Sequence, residues 1–171
     1  MQQPTDERFD ELYRRHADAV AAYVRRRAPA DAVDDVVAET FLVCWRRLDD
    51  VPENALPWLY AVARKTLANE LRKLARRAHA PVSATYEPPV AGDPLLATAF
   101  RALSDGDREV LRLVAWEGLA VADAAAALGC TPLACRVRFH RAKRRLARRL
   151  AEAESGRVAA RPRPKTEGAT R

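Results

Sequence analysis

The sequence predicts an all-α protein of two small helical domains joined by a flexible linker, and three observations predict it. Its 171 residues are rich in Ala, Leu and Arg, strong helix formers, while aromatic residues make up only 6% and strand-preferring residues are sparse. Apolar positions recur at helical spacing in two blocks of the chain. Between the blocks lies a stretch containing Pro81, Pro88, Pro89, Gly92 and Pro94 without periodicity, the composition of a linker.

In the first block, Thr5 followed by Asp6 and Glu7 offers an N-cap with acids in the first turn. Phe9, Leu12, Tyr13, Val20, Tyr23 and Val24 then fall on one face, and Pro29 ends the helix. Asp31 is placed to cap a second helix with Val33, Val36, Val37, Phe41, Cys44 and Leu48 inward. Asp49 to Pro57, with two prolines, is expected to be a loop. From Trp58 the pattern Leu59, Val62, Ala63, Leu67, Leu71 and Leu74 predicts a third helix to about Arg77, with Pro57 at or near its first turn.

The second block opens with Leu95, Leu96, Ala99 and Phe100. Ser104 with Asp107 three residues on resembles a capping box for a helix through Val110, Leu111 and Val114, broken at Glu117 and Gly118. A short helix from Val121 to Leu128 is stopped by Gly129. Thr131 and Pro132 then start a last helix to about Leu150, with Leu133, Phe139 and Leu146 as its expected core face. The domains are accordingly 1–78 and 95–152, the linker 79–94, and a disordered basic tail 153–171.

Charge is distributed unevenly. The net charge is +7, yet residues 1–60 hold eight Arg against twelve acids, whereas residues 61–171 hold twenty-two Lys or Arg against eleven acids. The basic half is the candidate polyanion binder. Three cysteines without an apolar leader argue against a secreted disulfide scaffold, and no apolar run approaches the roughly 20 residues of a membrane span, so a cytoplasmic protein is expected.

The segment from Val121 to Leu150 has the layout of a helix-turn-helix, whose second helix enters the DNA major groove while the first braces it. That second helix has many arginines and no acid between Thr131 and Leu150, so its self-repulsion is uncompensated unless phosphates supply counter-charge. Ala134, Arg136, Val137, His140 and Arg141 are placed for base edges. Lys143, Arg144 and Arg148 are placed for phosphates. Cys135 is expected near the DNA surface and Cys44 in the core.

A second basic cluster, Arg64, Lys65, Arg72, Lys73, Arg76 and Arg77, follows the third helix around Asn69, with Trp58 and Tyr60 at its entry. Such groups suit single-stranded or melted DNA, although Trp58 taken alone is a core residue. Asp31, Asp34, Asp35 and Glu39 open the second helix, where the helix dipole favours acids and where a basic protein surface could dock.

Taken together these motifs resemble the extracytoplasmic-function group of bacterial sigma factors, from about Phe9 to Leu150. FDELYRRH is similar to the opening of region two, DDVVAETFLVCWRRL to its polymerase-binding helix, and PWLYAVARKTLANELRKLARR to its promoter-melting and −10 helix. LSDGDREVLRL with VADAAAALGCTPLACRVRFHRAKRRL resembles region four, which reads the −35 element. The resemblance implies three-helix region two and helix-turn-helix region four. It implies polymerase clamp binding by Asp35, Ala38 and Glu39, with Phe41 and Trp45 maintaining the fold, and flap binding by region four. It further implies −10 contacts from Asn54, Arg64, Lys65, Asn69, Arg72, Lys73 and Arg76, and −35 contacts from Thr131, Ala134, Arg136, Val137, His140, Arg141 and Arg144. Ala38, Lys65 and Asn69 stand where the family often has Gln, Asn and Asp.

The implied partners are core RNA polymerase, promoter DNA and an anti-sigma factor, with no membrane and no cofactor. The alternative is a helix-turn-helix regulator that acts without being a polymerase subunit; residues 1–78 discriminate, because they carry no phosphoacceptor or ligand-pocket motif. An enzyme is not expected, since His16, His79 and His140 are scattered and no Gly-rich phosphate loop or Ser-His-Asp set is present. Cys130, Cys135 and His140 lack a fourth ligand and the spacing of a zinc site.

Overall fold

The computed structural model describes residues 4–77 and 93–159, which form seven α-helices and two 3₁₀ turns. The helices are α1 (Pro4–Arg25), α2 (Val33–Arg46), α3 (Ala55–Arg77), α4 (Pro94–Arg101), α5 (Asp105–Ala115), α6 (Val121–Leu128) and α7 (Pro132–Ala159). The expected linker lies largely outside the described residues, as do residues 160–171 of the expected tail.

Helices α1, α2 and α3 pack on one another. Val20, Tyr23, Val24, Val36, Phe41, Cys44, Leu59, Ala63 and Leu67 fill the space between them. Each large apolar side chain there contributes about 1.5–3 kcal/mol through burial. Burial also pushes the Cys44 thiol above its ordinary range, so this cysteine is a small core residue. The buried Thr40 hydroxyl donates to the Val36 carbonyl (2.7 Å), so this donor is satisfied inside its own helix. Arg8 donates to the Val51 carbonyl (2.8 Å) and ties the loop before α3 to α1.

Three local expectations change in this half. Thr5 lies inside α1 rather than before it. Asp31 does not cap α2: a 3₁₀ turn (Ala30–Ala32) intervenes, and the N-cap is Ala32 with no side-chain hydrogen bond. Tyr13 is half exposed, yet its ring meets Phe41 edge-on at 4.7 Å, and Phe9 meets the half-exposed Trp45 at 5.1 Å. Phe41 is thus core, and Trp45 covers that core from outside. Pro57 stands third in α3, where an amide N–H would have no intrahelical acceptor.

Helices α4, α5 and α6 all pack against α7. Asp93 caps α4 by accepting from the Leu95 amide, with Pro94 already helical. Ser104 accepts from the Asp107 amide (3.2 Å) as expected, but Asp107 does not complete the box. Its buried carboxylate instead accepts from Arg145 of α7 (2.6 Å), joining α5 to α7. Gly129 ends α6 in the left-handed region (φ 68°), and Thr131 caps α7 by accepting from the Ala134 amide (3.2 Å).

Helix α7 continues to Ala159, so the segment 153–159, expected in the tail, is helical. Its buried face also differs from expectation. Leu133 is 71% exposed, whereas Cys135 and Ala142 are fully buried, with Phe139 and Leu146 partly so. Helix α6 contributes Ala124, Ala125 and Ala127 to the same seam. Small residues on both sides let the two backbones approach closely, which a leucine at the contact would prevent.

The two halves are in contact. Helix α3 packs along α6, and an ion-pair cluster joins the end of α1 to α5 and the turn after it.

Candidate nucleic-acid and polymerase interfaces

Helix α7 has two opposed faces. Cys135, Phe139, Ala142 and Leu146, spaced three and four residues apart, turn inward. Ala134, Arg136, Val137, His140, Arg141 and Arg144 are all exposed on the remaining surface, and Thr131 is exposed at its cap. The whole predicted −35 set is therefore presented to solvent by one helix and its N-terminal turn. Cys135 is the exception to the sequence-based expectation: it belongs to the inner seam, not to a DNA surface. Burial, then the neighbouring Cys130, pushes its thiol above the ordinary range.

The arginines of α7 are not equally uncompensated. Arg145 pairs with Asp107, and Arg148 and Arg149 both face Glu152 at 3.8 and 3.2 Å. Arg136, Arg138, Arg141, Lys143 and Arg144 have no carboxylate partner among the described residues. The sequence could not show this division, because Asp107 reaches α7 from another helix and Glu152 follows the stretch expected to end it.

A second surface is the groove between α2 and α3, about 1110 Å³ in volume. Asp35, Ala38 and Glu39 form its acidic wall; Lys65, Asn69, Arg72, Lys73 and Arg76 form its basic wall, joined by Arg47 and Arg77. The predicted polymerase set and five members of the predicted −10 set thus share one groove. Arg72 donates to the Asn69 side-chain carbonyl (2.7 Å) and fixes that amide, while Lys73 pairs with Glu70 (2.9 Å). Arg47 escaped prediction because it follows the acidic segment in a different turn.

Two predicted −10 residues are not in this groove. Arg64 lines a cavity of about 440 Å³ between the halves, and its guanidinium reaches the Leu128 carbonyl (3.4 Å). Asn54 donates its amide to Asp123 of α6 (3.0 Å). Trp58 is half-buried against the core, and Tyr60 is buried, stacked on Tyr23 at 4.7 Å. Tyr60 is therefore not available as a platform for an unstacked base.

Among the described residues no cluster of three or more His, Cys, Asp or Glu side chains could hold a metal ion, and no helix is long and apolar enough to cross a membrane.

Comparison with known proteins assigns both halves to families. Residues 12–77 match Sigma-70 region 2, and residues 95–146 match Sigma-70, region 4. The RNA polymerase sigma factor NccH of Alcaligenes xylosoxydans xylosoxydans is 29% identical over 157 residues, covering 81% of this chain and 84% of NccH. The ECF RNA polymerase sigma factor SigC of Mycobacterium tuberculosis is 32% identical over 146 residues, covering 77% and 76% of the two chains. Among solved structures, CnrH in complex with the cytosolic domain of CnrY is similar with a TM-score of 0.58 at 28% identity, over 90% of this chain and 89% of CnrH. RpoE in complex with the anti-sigma factor NepR from Bartonella quintana gives a TM-score of 0.62 at 25% identity, over 84% and 96%. Because both halves match, and not the helix-turn-helix alone, the alternative of a free-standing regulator is not favoured. The chain belongs to the extracytoplasmic-function sigma factors, which bind core RNA polymerase and direct transcription initiation at promoters.

Proposed function

We propose that residues 1–78 are the polymerase-binding and −10 unit, that 95–152 are the −35 unit, and that 79–94 connect them. The observation that carries the −35 assignment is the outward face of α7, where Arg136, Arg141 and Arg144 stand without a carboxylate partner among the described residues, beside Ala134, Val137 and His140. Arginine near the start of such a helix can pair with guanine in the major groove, and Ala134 or Val137 can touch a thymine methyl. Arg144 and Thr131 then serve the flanking phosphates.

In the α2–α3 groove, Asp35 and Glu39 attract a basic polymerase surface, while Ala38 leaves room for close approach. Lys65, Asn69, Arg72, Lys73 and Arg76 lie across from them and hold the melted −10 strand, with Arg64 and Asn54 on the neighbouring face of the same helix and loop. The opposed walls let polymerase and DNA dock side by side without charge conflict. Anti-sigma complexes of CnrH-like and RpoE-like folds support an anti-sigma partner for this chain as well. The whole acts where polymerase and DNA are, in the cytoplasm.

The test is transcription in vitro with sigma-free core enzyme. The protein should confer start-site selection, and the double variant Asp35→Lys/Glu39→Lys should lose core association while its helical circular dichroism is unchanged. Undiminished association would remove the acidic wall from the polymerase interface.

A further inference from the structure

We infer that Cys130 and Cys135 are a redox-sensitive thiol pair at the start of α7, which a hydroperoxide closes to a disulfide, and that closure lowers the affinity of α7 for the −35 element. The effect on DNA rests on the −35 assignment of α7; the chemistry of the pair does not.

The local fold brings the two sulfurs together. Thr131 caps α7: its hydroxyl accepts from the Ala134 amide (3.2 Å), and its carbonyl accepts from the Cys135 amide (2.9 Å). Cys130 is therefore the residue before the cap and Cys135 the fourth of the helix, the two positions whose side chains staple a helix start by touching. A helical side chain tilts toward its own N-terminus, which aims Cys135 back at Cys130. The two thiols are hydrogen-bonded to each other. The turn itself is held from the other side, because the Cys130 amide donates to the Ala125 carbonyl of α6 (3.0 Å).

Their surroundings give the two thiols different parts. Cys135 is fully buried in the seam between α6 and α7, whereas Cys130 is partly exposed and packs on the edge of that core. Burial first, and then Cys130, keeps the proton on Cys135, with Arg138 opposing them. Cys130 is thus the sulfur that an oxidant in solvent meets, and Cys135 the resolving thiol behind it. Cys44 is buried in the core of α1, α2 and α3 and takes no part.

Hydrogen peroxide supplies the oxidising equivalents. The Cys130 thiolate attacks one peroxide oxygen; an S–O bond forms, the O–O bond breaks, and the departing hydroxide leaves as water with the proton that Cys130 gave up. The Cys135 sulfur then attacks the Cys130 sulfenic acid. An S–S bond forms, the S–O bond breaks, and the released oxygen leaves as water with the Cys135 proton. Two thiols and one peroxide become one disulfide and two waters, and exchange with a small thiol reverses the step.

Closure reaches the DNA-reading face through the same turn. An S–S bond is shorter than any contact between two thiols, so the capping turn must move toward α7 or Cys135 must lift from its contact with the small residues of α6. Thr131, Ala134 and Arg136 adjoin the pair in sequence and are exposed. Either movement shifts them against the rest of the helix-turn-helix, since a close-packed seam transmits displacement rather than absorbing it.

The experiment oxidises the intact chain with hydrogen peroxide, removes the oxidant and then adds core enzyme. Peptide mass mapping should find Cys130 joined to Cys135 and Cys44 still free. Anisotropy on a labelled promoter should show the oxidised holoenzyme binding about tenfold more weakly, the scale of one lost bidentate base contact, with dithiothreitol restoring it. On the same promoter with its −35 element scrambled, oxidised and reduced forms should bind alike. Cys130→Ser and Cys130→Ala, changes at a partly exposed turn position, should remove the response to peroxide. Absence of the 130–135 cross-link would overturn the pair. A cross-link with unchanged affinity, or an equal loss in the Cys130 variants, would overturn its effect on DNA. If the reduced holoenzyme does not distinguish the native from the scrambled promoter, the −35 assignment fails and the effect on DNA with it, while the thiol pair is still decided by the mapping.

Discussion

The division of α7 into paired and unpaired cations makes a quantitative prediction about salt. Each phosphate contact that releases a counterion contributes about 0.9 to the slope of log affinity against log salt concentration. Arg138, Lys143 and Arg144 are exposed without carboxylate partners among the described residues and are not assigned to base edges, so replacing all three with Ala should reduce the slope by up to about 2.7. Across a fourfold rise in salt, the wild-type holoenzyme should then lose about fortyfold more affinity for its promoter than the variant does. Arg148 and Arg149 share Glu152, so that carboxylate already offsets one of their charges. Changing this pair should lower the slope by about 0.9 at most, worth roughly three- to fourfold over the same range. The assay is fluorescence anisotropy of holoenzyme on a labelled promoter at several salt concentrations. If the Arg148/Arg149 variant flattens the dependence as much as the triple variant, the outward face is not the phosphate-bearing one.

Further outcomes follow from single features. Gly129 has φ 68° with open space where a Cβ would point, so Gly129→Ala should destabilise through backbone strain alone, by about 1–2 kcal/mol in denaturant unfolding. Gly106, inside α5 with equally open surroundings, should respond oppositely, with Ala stabilising by about 0.5–1 kcal/mol. Burial, then Glu109, raises Tyr23 well above its ordinary pKa, and burial, then Glu117, raises Tyr60 to about 12. The folded chain thus holds these phenol protons more tightly than the unfolded chain. The Tyr60 contribution is full below the ordinary value of 10.0 and is lost as pH rises through about 12, which stability measurements in alkali against a Tyr60→Phe control will detect.

Much of the architecture was legible because its signals are local. Gly129, Thr131 and Pro132 mark a helix end and a helix start within four residues, and the structure uses Gly129 and Thr131 in those roles. The inner face of α7 was less legible. Leu133 carries the stronger apolar signal, but it lies exposed in the first turn, while the unremarkable Cys135 and Ala142 are buried. Hydrophobic periodicity weighs side chains by size, and a close helix crossing selects the small ones.

The candidate sites divide in the same way. The outward α7 set and the basic stripe of α3 follow from spacing along single helices. The Arg27 pairs with Glu109 and Glu117 join residues 82 and 90 positions apart, and no local pattern encodes such a pairing. The run Arg25-Arg26-Arg27 in an otherwise acidic half was the one hint available. Asn54 and Arg64 were expected beside Lys65 and Asn69, yet a rotation of one residue along α3 separates Arg64 from Lys65 into different cavities.

The alanine and cysteine seam between α6 and α7 bears on how promoter preference can diversify. Since Ala124, Ala125, Cys135 and Ala142 set the angle at which α7 is held, a single added methylene there would tilt every reading group at once. Substitutions at Arg136, Val137, His140 or Arg141 leave that mounting untouched. Duplicated copies of such a gene could therefore drift to new target sites one exposed position at a time, with the scaffold held constant.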